Sequence, residues 1–364
     1  MNGVTDGPGR SAGSGVGPAD DESLMARAVA RAEHSRLLAP PNPWVGAVLV
    51  CPDGTSFEGS TRRPGGHHAE REVLGRAGAR ARGATLYVTL EPCSHHGRTP
   101  PCVEAVVEAG VARVVVAVAD PDPEVSGRGI DALARAGIEI TIGPGAEAVE
   151  AQLAPYLTQR RTGRPLVVLK LAATLDGRVA APDGTSQWIT GPEARADAHQ
   201  LRARSDAIVV GAGTVRTDDP RLTVRGVEAP DGRPVREPIR VVLGRAPDDA
   251  AVRPCLELSG EPAAILDRRG ERGDVLQVMI EGGAGGAGSF HRAGLVDRYV
   301  VYLAPALLGG SDGQPLFEGP GAATIGDLWR GRVDSVRPVG ADVRIELVAD
   351  GGSDGHRSDV VGPA

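Results

Sequence analysis

Hydrophobic and polar positions alternate along the chain in two series of helical and extended patterns that meet near residue 163. From Asp20, the residues Leu24, Met25, Ala28, Val29 and Ala32 recur on one helical face, with Asp20 or Asp21 placed to cap. Pro40-Pro41-Asn42-Pro43 ends that helix in a rigid loop. Val45 to Val50 is a short apolar run expected as a buried strand, and the turn residues Pro52-Asp53-Gly54 lead to a second strand near Ser56 to Gly59. Ala69 to Gly78 reads as helix, Thr85 to Leu90 as strand, Val103 to Ala109 as helix, Arg113 to Val118 as strand, Gly129 to Ala136 as helix and Ile138 to Ile142 as strand. This alternation predicts an α/β sandwich with a largely parallel sheet. A helix over about Ala146 to Arg160 then reaches Thr162-Gly163-Arg164-Pro165, which reads as a domain boundary.

The second series opens with a strand at Leu166 to Leu171, a helix at Gly191 to Ala203 and a strand at Ala207 to Gly211. Further strands are expected at Ile239 to Leu243, Ala263 to Leu266 and Val275 to Ile280, a helix near Ser289 to Ala293, and strands at Arg298 to Leu303 and Val343 to Val348. The expected layout is a disordered tail over 1–19, a first domain over 20–162, a second over 163–349 and a disordered tail over 350–364.

Composition narrows the classes. A net charge of −7 argues against a nucleic-acid or membrane-surface protein. No run of about 18 apolar residues exists, so no membrane span is expected. The first residues lack the apolar block of a signal peptide. Four cysteines in 364 residues do not make a disulfide scaffold and fit a reducing cytoplasm. The chain holds a single lysine, Lys170, and two asparagines, Asn2 and Asn42. A GC-rich coding sequence depletes both types, which singles out the survivors.

The chemistry centres on His68-Ala69-Glu70, Pro92-Cys93 and Cys102. A His, a Glu two residues on, then Pro-Cys and a second Cys is the arrangement of zinc-dependent deaminases. His68, Cys93 and Cys102 would supply three ligands and leave one position for water. Glu70 would stay off the metal and carry protons from the water to the departing amine. Eight residues separate the cysteines, and this polar, basic insert, Ser94 to Pro101, suits a loop lining a pocket for an anionic substrate. A structural zinc site would instead take a fourth protein ligand, for which His67, His95 and His96 are available, but would have no need of Glu70.

In the second half, Lys170 lies in an apolar strand, where an unpaired charge is expensive, so it is expected to line a pocket holding a phosphate or carboxylate. Glu281-Gly282-Gly283-Ala284-Gly285-Gly286-Ala287-Gly288-Ser289 follows an apolar strand and precedes a helix. Such a glycine-rich loop lets backbone N–H groups approach a phosphate. Gly211-Ala212-Gly213-Thr214 is a second turn of the same kind.

Together, Pro41-Asn42-Pro43-Trp44-Val45-Gly46, His68-Ala69-Glu70, Thr89 to Cys102 and Asp120-Pro121-Asp122-Pro123 with Gly127 and Gly129 resemble the bifunctional riboflavin-biosynthesis deaminase-reductases. The run from Lys170 to Gly177, then Ser186 to Thr190, Asp218-Asp219-Pro220 and Ala293 to Asp297, resembles the reductase half of the same family. The resemblance implies a cytidine-deaminase-like α/β/α sandwich followed by a dihydrofolate-reductase-like α/β domain. It implies zinc-dependent deamination of a diaminopyrimidinone ribosyl-phosphate, then NADPH-dependent reduction of the opened ribose to a ribityl chain.

By the same resemblance Asn42 would bind the pyrimidine. Ala172, Trp188, Thr214, Asp218 and Gly283, Ala284, Gly285, Gly286, Ala287, Gly288 and Ser289 would hold the nucleotide, while Ser186, Arg202, Leu222, Arg225 and Glu281 would hold the substrate, with Lys170 beside its ribose. The two arginines suit its phosphate. The chain departs from the family's usual pattern at Ala39, often Thr, and at Gly244, usually Asp. It is also short over Asp267 to Asp274, where the family usually has a helix. Small-molecule substrate, a homo-oligomer and a cytoplasmic location are expected. The alternatives are a zinc deaminase of another amino-heterocycle with a non-catalytic or weakly active second domain, and a non-enzymatic zinc- or nucleotide-binding protein.

Overall fold

The computed structural model describes residues 18–96, 99–123, 125–260, 262–266 and 275–349. Both expected tails and the short 267–274 segment therefore lie outside the described residues, apart from the last two positions of the first tail. The chain forms two compact units, one of residues up to Ser35 and Trp44–Gln152, the other of Arg36–Pro43 and Leu153 onward.

The first unit contains α1 (Pro18–Glu33), β1 (Gly46–Val50), β2 (Ser56–Ser60), α2 (Ala69–Ala77), β3 (Thr85–Leu90), α3 (Cys102–Glu108), β4 (Arg113–Val118), α4 (Arg128–Arg135), β5 (Glu139–Ile142) and the start of α5 (Ala146–Thr162). Its sheet runs β2-β1-β3-β4-β5. The expectation of a largely parallel sheet is corrected to a mixed one: β1 is antiparallel to both β2 and β3, while β3, β4 and β5 are parallel. The short Cys51–Thr55 connection makes β1 and β2 antiparallel, and β3, reached from β2 across α2, runs parallel to β2 and so antiparallel to β1. The middles of β1, β3 and β4 are buried at successive positions, so both faces of the sheet are covered. Helix α1 buries Met25, Ala28 and Ala32. It lies so close to β1 that a Cβ on Gly46 would stand 1.9 Å from the Ala28 carbonyl oxygen.

Asp21 does not cap α1, which already begins at Pro18. Its buried carboxylate accepts from Tyr87 Oη at 2.9 Å and from both terminal nitrogens of Arg113, at 3.0 and 2.7 Å. Arg113 holds its pKa low.

The second unit adds β6 (Leu166–Thr174), β7 (Arg178–Ala180), α6 (Pro192–Ala203), β8 (Ala207–Gly211), α7 (Ala212–Asp218), β9 (Ile239–Leu243), β10 (Leu256–Leu258), α8 (Pro262–Leu266), β11 (Gln277–Glu281), α9 (Ala284–Arg292), β12 (Arg298–Ala304), β13 (Gln314–Pro315), β14 (Gly331–Val339) and β15 (Asp342–Ala349). Its main sheet runs β10-β9-β8-β11-β6-β12-β15-β14. It is parallel from β10 to β12 and antiparallel thereafter.

Period-two burial gives this sheet two cores. Val168, Ile208, Val210, Val242, Met279, Val300 and Tyr302 join Ala194, Ala198 and Leu201 of α6 in one cluster. Val167, Leu169, Leu171, Val209, Val241, Val278 and Ile280 join Ala287 and Phe290 of α9 in the other. The strand expected at Ala263 to Leu266 is corrected to α8: a short apolar run has no period of its own, and Pro262 and two alanines suit a helical turn. The glycine-rich turns at Gly211 and Gly283 are also corrected. Each of those glycines is an N-cap, and α7 and α9 begin at the next residue.

Candidate functional site

Three side chains from three elements converge in the first unit. His68 is the N-cap of α2, Cys93 follows β3, and Cys102 opens α3. His68 Nδ1 lies 3.6 Å from Cys93 Sγ and 3.3 Å from Cys102 Sγ, and the three donor atoms lie within 4.8 Å of one another. Among the described residues this is the cluster of His, Cys, Asp and Glu able to hold a metal ion. One nitrogen and two sulfurs match the soft donor set zinc prefers, and three ligands leave a coordination position open.

The hydrogen bond from Cys102, followed by that from His68, draws Cys93 down to about 4, while the bond to Cys93 pushes Cys102 up. Glu70, one residue into α2, is 3% exposed, and burial raises its pKa. It bonds Cys102 rather than joining the donor triangle. A buried carboxyl beside a metal-binding set is placed to accept a proton from a bound water and to return it.

The frame around these ligands lies in motifs that the sequence reading quoted without assigning them a role. Glu91, directly before Pro92-Cys93, is a buried carboxylate aimed at the N-terminus of α4. Its Oε2 accepts from Asp120 N at 3.2 Å and Gly127 N at 3.0 Å. Its Oε1 accepts from Gly129 N at 2.8 Å and Ile130 N at 3.3 Å. A Cβ on Gly129 would stand 2.0 Å from the Pro92 carbonyl oxygen. The Asp120…Gly127-x-Gly129 run thus grips the cysteine loop, and the signal was a Glu ahead of Pro-Cys paired with glycines some 36 residues on. Arg71 fixes the far end of the insert, donating to Pro100 O and Pro101 O at 3.3 and 2.9 Å. Val103 N donates to Cys93 O at 3.2 Å. His67 is held through its backbone by Arg62 N. Asn42 lies in the 36–43 segment, which groups with the second unit, and its N–H donates to Ala39 O at 2.9 Å.

In the second unit, Lys170 on β6 and Glu281 on the adjacent β11 are register partners. Lys170 Nζ stands 3.7 Å from Glu281 Oε1, and Arg202 of α6 grips the same carboxylate through Nε at 2.8 Å and Nη2 at 2.7 Å. Burial raises the Glu281 pKa, but Lys170 and Arg202 outweigh it and hold it at about 2. Lys170, expected to line a pocket holding a phosphate or carboxylate, faces a carboxylate of the chain itself. Lys170 Nζ also lies 6.0 Å from the centre of the Tyr302 ring. Arg202 donates a third bond to Thr223 O at 3.2 Å.

Thr214 on α7 accepts from the N–H of Gly283, the N-cap of α9, at 3.0 Å, so these two predicted nucleotide-binding positions meet. Ala284 to Ser289 form the first turns of α9, and Ser289 Oγ is spent on Gly285 O. Asp218 ends α7, where burial raises its pKa. Ala172 sits on β6. Leu222 is buried in a left-handed backbone conformation. Ser186 and Trp188 lie between β7 and α6, with Trp188 68% exposed and the Arg195 guanidinium 4.6 Å over its ring. Arg225 is exposed, and its N–H donates to His199 Nδ1 at 3.2 Å. The structure thus gathers Lys170, Arg202 and Glu281 at one point and Thr214 and Gly283 at another, and His199, which accepts from Arg225, lies within electrostatic reach of Arg202 and Glu281.

Comparison with known proteins bears on both units. The sequence profile of the cytidine and deoxycytidylate deaminase zinc-binding region matches residues 18–118, and that of the RibD C-terminal domain matches residues 165–345. Riboflavin biosynthesis protein RibD of Escherichia coli (strain K12) is 40% identical, across 90% of this chain and 99% of that one. The protein of that name in Mycobacterium tuberculosis (strain ATCC 25618 / H37Rv) is 45% identical, across 85% of this chain and 91% of its own. Among solved structures, Acinetobacter baumannii RibD, form 2, superposes with a TM-score of 0.83 at 36% identity, covering 91% of this chain and 99% of that one. A diaminohydroxyphosphoribosylaminopyrimidine deaminase/5-amino-6-(5-phosphoribosylamino)uracil reductase from Thermotoga maritima gives 0.80 at 32% identity, covering 91% of this chain and 99% of that one.

Proposed function

Because the chain belongs to the RibD family of riboflavin biosynthesis, we propose that its two chemistries are carried by residues 20–162 and 163–349, with the following division of labour. The protein is a bifunctional deaminase and reductase that uses zinc in its first half and NADPH in its second. It deaminates 2,5-diamino-6-ribosylamino-4(3H)-pyrimidinone 5′-phosphate and reduces the ribosyl chain of the product to ribityl.

In the deaminase half, His68, Cys93 and Cys102 hold the zinc. Bound there, the metal supplies a Lewis acid that makes water nucleophilic at neutral pH. Glu70 takes the proton of the attacking water and returns it to the amino group as that group leaves as ammonia. Its burial supports this role, since a carboxyl tuned upward both accepts and releases a proton readily. Asn42 hydrogen-bonds the pyrimidine. The observation that carries the reading is the triangle of donor atoms within 4.8 Å with a buried carboxyl against it.

In the reductase half, Thr214, Asp218, Ala172, Trp188 and the turns from Gly283 to Ser289 hold NADPH. The N-terminus of α9, nine residues long, suits its pyrophosphate. Ser186, Leu222, Arg202, Arg225 and Glu281 hold the substrate, and Lys170 stands at the ribose carbon that accepts hydride. The cofactor supplies the hydride, and these side chains position both partners.

The chain also forms a homo-oligomer in the cytoplasm. Support for the first is β14, a nine-residue edge strand with Val333 and Val336 more than half exposed. Support for the second is a set of four unbridged cysteines. The test of the whole reading offers the diaminopyrimidinone nucleotide to the purified protein with and without NADPH and follows products by mass. Ammonia release without NADPH, then a second product only with it, is expected. No ammonia from the zinc-loaded chain would refute the assignment of the first site.

A further inference from the structure

Between α7 and β9 the segment 219–238 forms neither helix nor strand. A loop of that length in a compact unit must be held by the elements around it. It carries Leu222 and Arg225, two of the residues assigned above to the substrate. Leu222 is 2% exposed and has φ +51°, a left-handed conformation that a bulky side chain keeps only where its surroundings enforce it.

That enforcement falls on three successive residues. Thr223 O accepts from Arg202 Nη1 at 3.2 Å. Val224 N donates to the two carboxylate oxygens of Glu237, at 3.3 and 3.2 Å. Arg225 N donates to His199 Nδ1 at 3.2 Å. Glu237 belongs to the loop itself, so at this point His199 and Arg202 tie the loop to the rest of the unit. Both stand on α6, three residues apart and so on one face. Arg202 also spends Nε and Nη2 on Glu281, at 2.8 and 2.7 Å. The position of residue 225 is therefore left to His199. The Arg225 side chain is exposed, so its backbone is what aims it.

The imidazole can accept this bond only with a bare nitrogen, since a proton on Nδ1 would set one donor against another. Burial, then Arg202 and Arg225, lowers the His199 pKa from its ordinary value, against the opposing pull of Glu281 and of a backbone hydrogen bond to Thr223. The ring is neutral at pH 7, with Nδ1 free for the Arg225 N–H.

We propose that His199 is a positioning residue of the reductase's substrate subsite. Through Nδ1 it fixes the Arg225 backbone, and with it the reach of the Arg225 guanidinium toward the substrate's phosphate, without itself touching the substrate. This rests on the reading of Leu222 and Arg225 as substrate-binding residues.

The test follows NADPH oxidation by the full chain with 5-amino-6-(5-phosphoribosylamino)uracil as substrate. In His199→Asn the amide oxygen takes the place of Nδ1, in His199→Gln it takes the place of Nε2, and His199→Leu offers no acceptor. The Asn variant should hold KM for the nucleotide within about threefold of wild type, whereas the Gln and Leu variants should raise it about tenfold, the scale of one lost hydrogen bond. In both, kcat should fall far less than KM rises, and KM for NADPH should stay at its wild-type value, because the loss lies in binding the nucleotide. In an Arg225→Gln background the His199→Gln penalty should vanish, since the ring acts through Arg225. A loss of stability alone would not separate Asn from Gln, and these two polar variants decide the matter even if the Leu variant fails to fold. Equal KM values in the Asn and Gln variants, or a full His199→Gln penalty in the Arg225→Gln background, overturn the positioning role alone. A wild type that oxidises no NADPH with this nucleotide overturns the substrate reading instead.

Discussion

Glu281→Gln removes the one negative charge that Lys170 and Arg202 share. The carboxyl goes from 4.5 in an unstructured chain to about 2 in the fold. At about 1.4 kcal/mol for each unit, that displacement corresponds to about 3 kcal/mol of stability. The side chain is 14% exposed, so solvent screening takes little from it. The variant also leaves two cations facing each other without a counter-charge, a change that costs about 3–5 kcal/mol where the pair is buried. A loss of about 3 kcal/mol lowers the melting temperature of a unit of this size by roughly 6–12 °C.

The pH dependence has a definite sign. The folded pKa lies below the unfolded one, so the carboxylate's contribution is complete above about 4.5 and disappears as pH falls toward about 2. Calorimetric melts of the full chain, with the second unit's transition identified by the upward shift NADPH gives it, should show a constant gap between wild type and variant from pH 7 to 5. The gap should close below pH 4.5. A variant as stable as wild type at pH 7, or a gap undiminished at pH 3, would show that the triad contributes nothing as an ion network.

Three further outcomes follow from the two sites. Glu70→Gln should retain zinc by metal analysis yet lose ammonia release by about 10²-fold or more, the scale of a general acid–base group; wild-type release would sink the assigned role. Gly129→Ala drives a methyl into the Pro92 carbonyl at 2.0 Å, so the Cys93 loop must shift. The expected cost is about 1–3 kcal/mol, with faster zinc loss to a chelator, and unchanged zinc retention would refute the proposed grip. Lys170→Ala should spare ammonia release and impair NADPH oxidation, and equal loss of both would count against separate sites.

The candidate metal-binding positions were legible because a His, a Glu two residues on and a Pro-Cys with a second Cys form a recognisable donor set. His68 and Glu70 had to sit at one helix start and the cysteines at the ends of a strand and a helix, and α2, β3 and α3 begin or end there. The frame was less legible, because Glu91 works through four backbone N–H groups, and backbone donors leave no mark on a sequence. Periodicity found the strands with apolar cores and missed those without. β14 carries Arg332, Asp334 and Pro338 on a free edge and shifts register between Val333 and Ser335, so it shows no clean alternation.

The glycine runs misled for a related reason. Low helix propensity predicts a loop at Gly283 to Gly288, yet α9 forms because Ala287 and Phe290 are buried against the sheet and Gly288 must pass close to Glu318 O, where a Cβ would stand 2.3 Å away. That position requires glycine by contact rather than by flexibility. The same distinction applies to Gly244: what reads as the loss of a family aspartate is, in the fold, a turn that brings Arg245 to the end of β9.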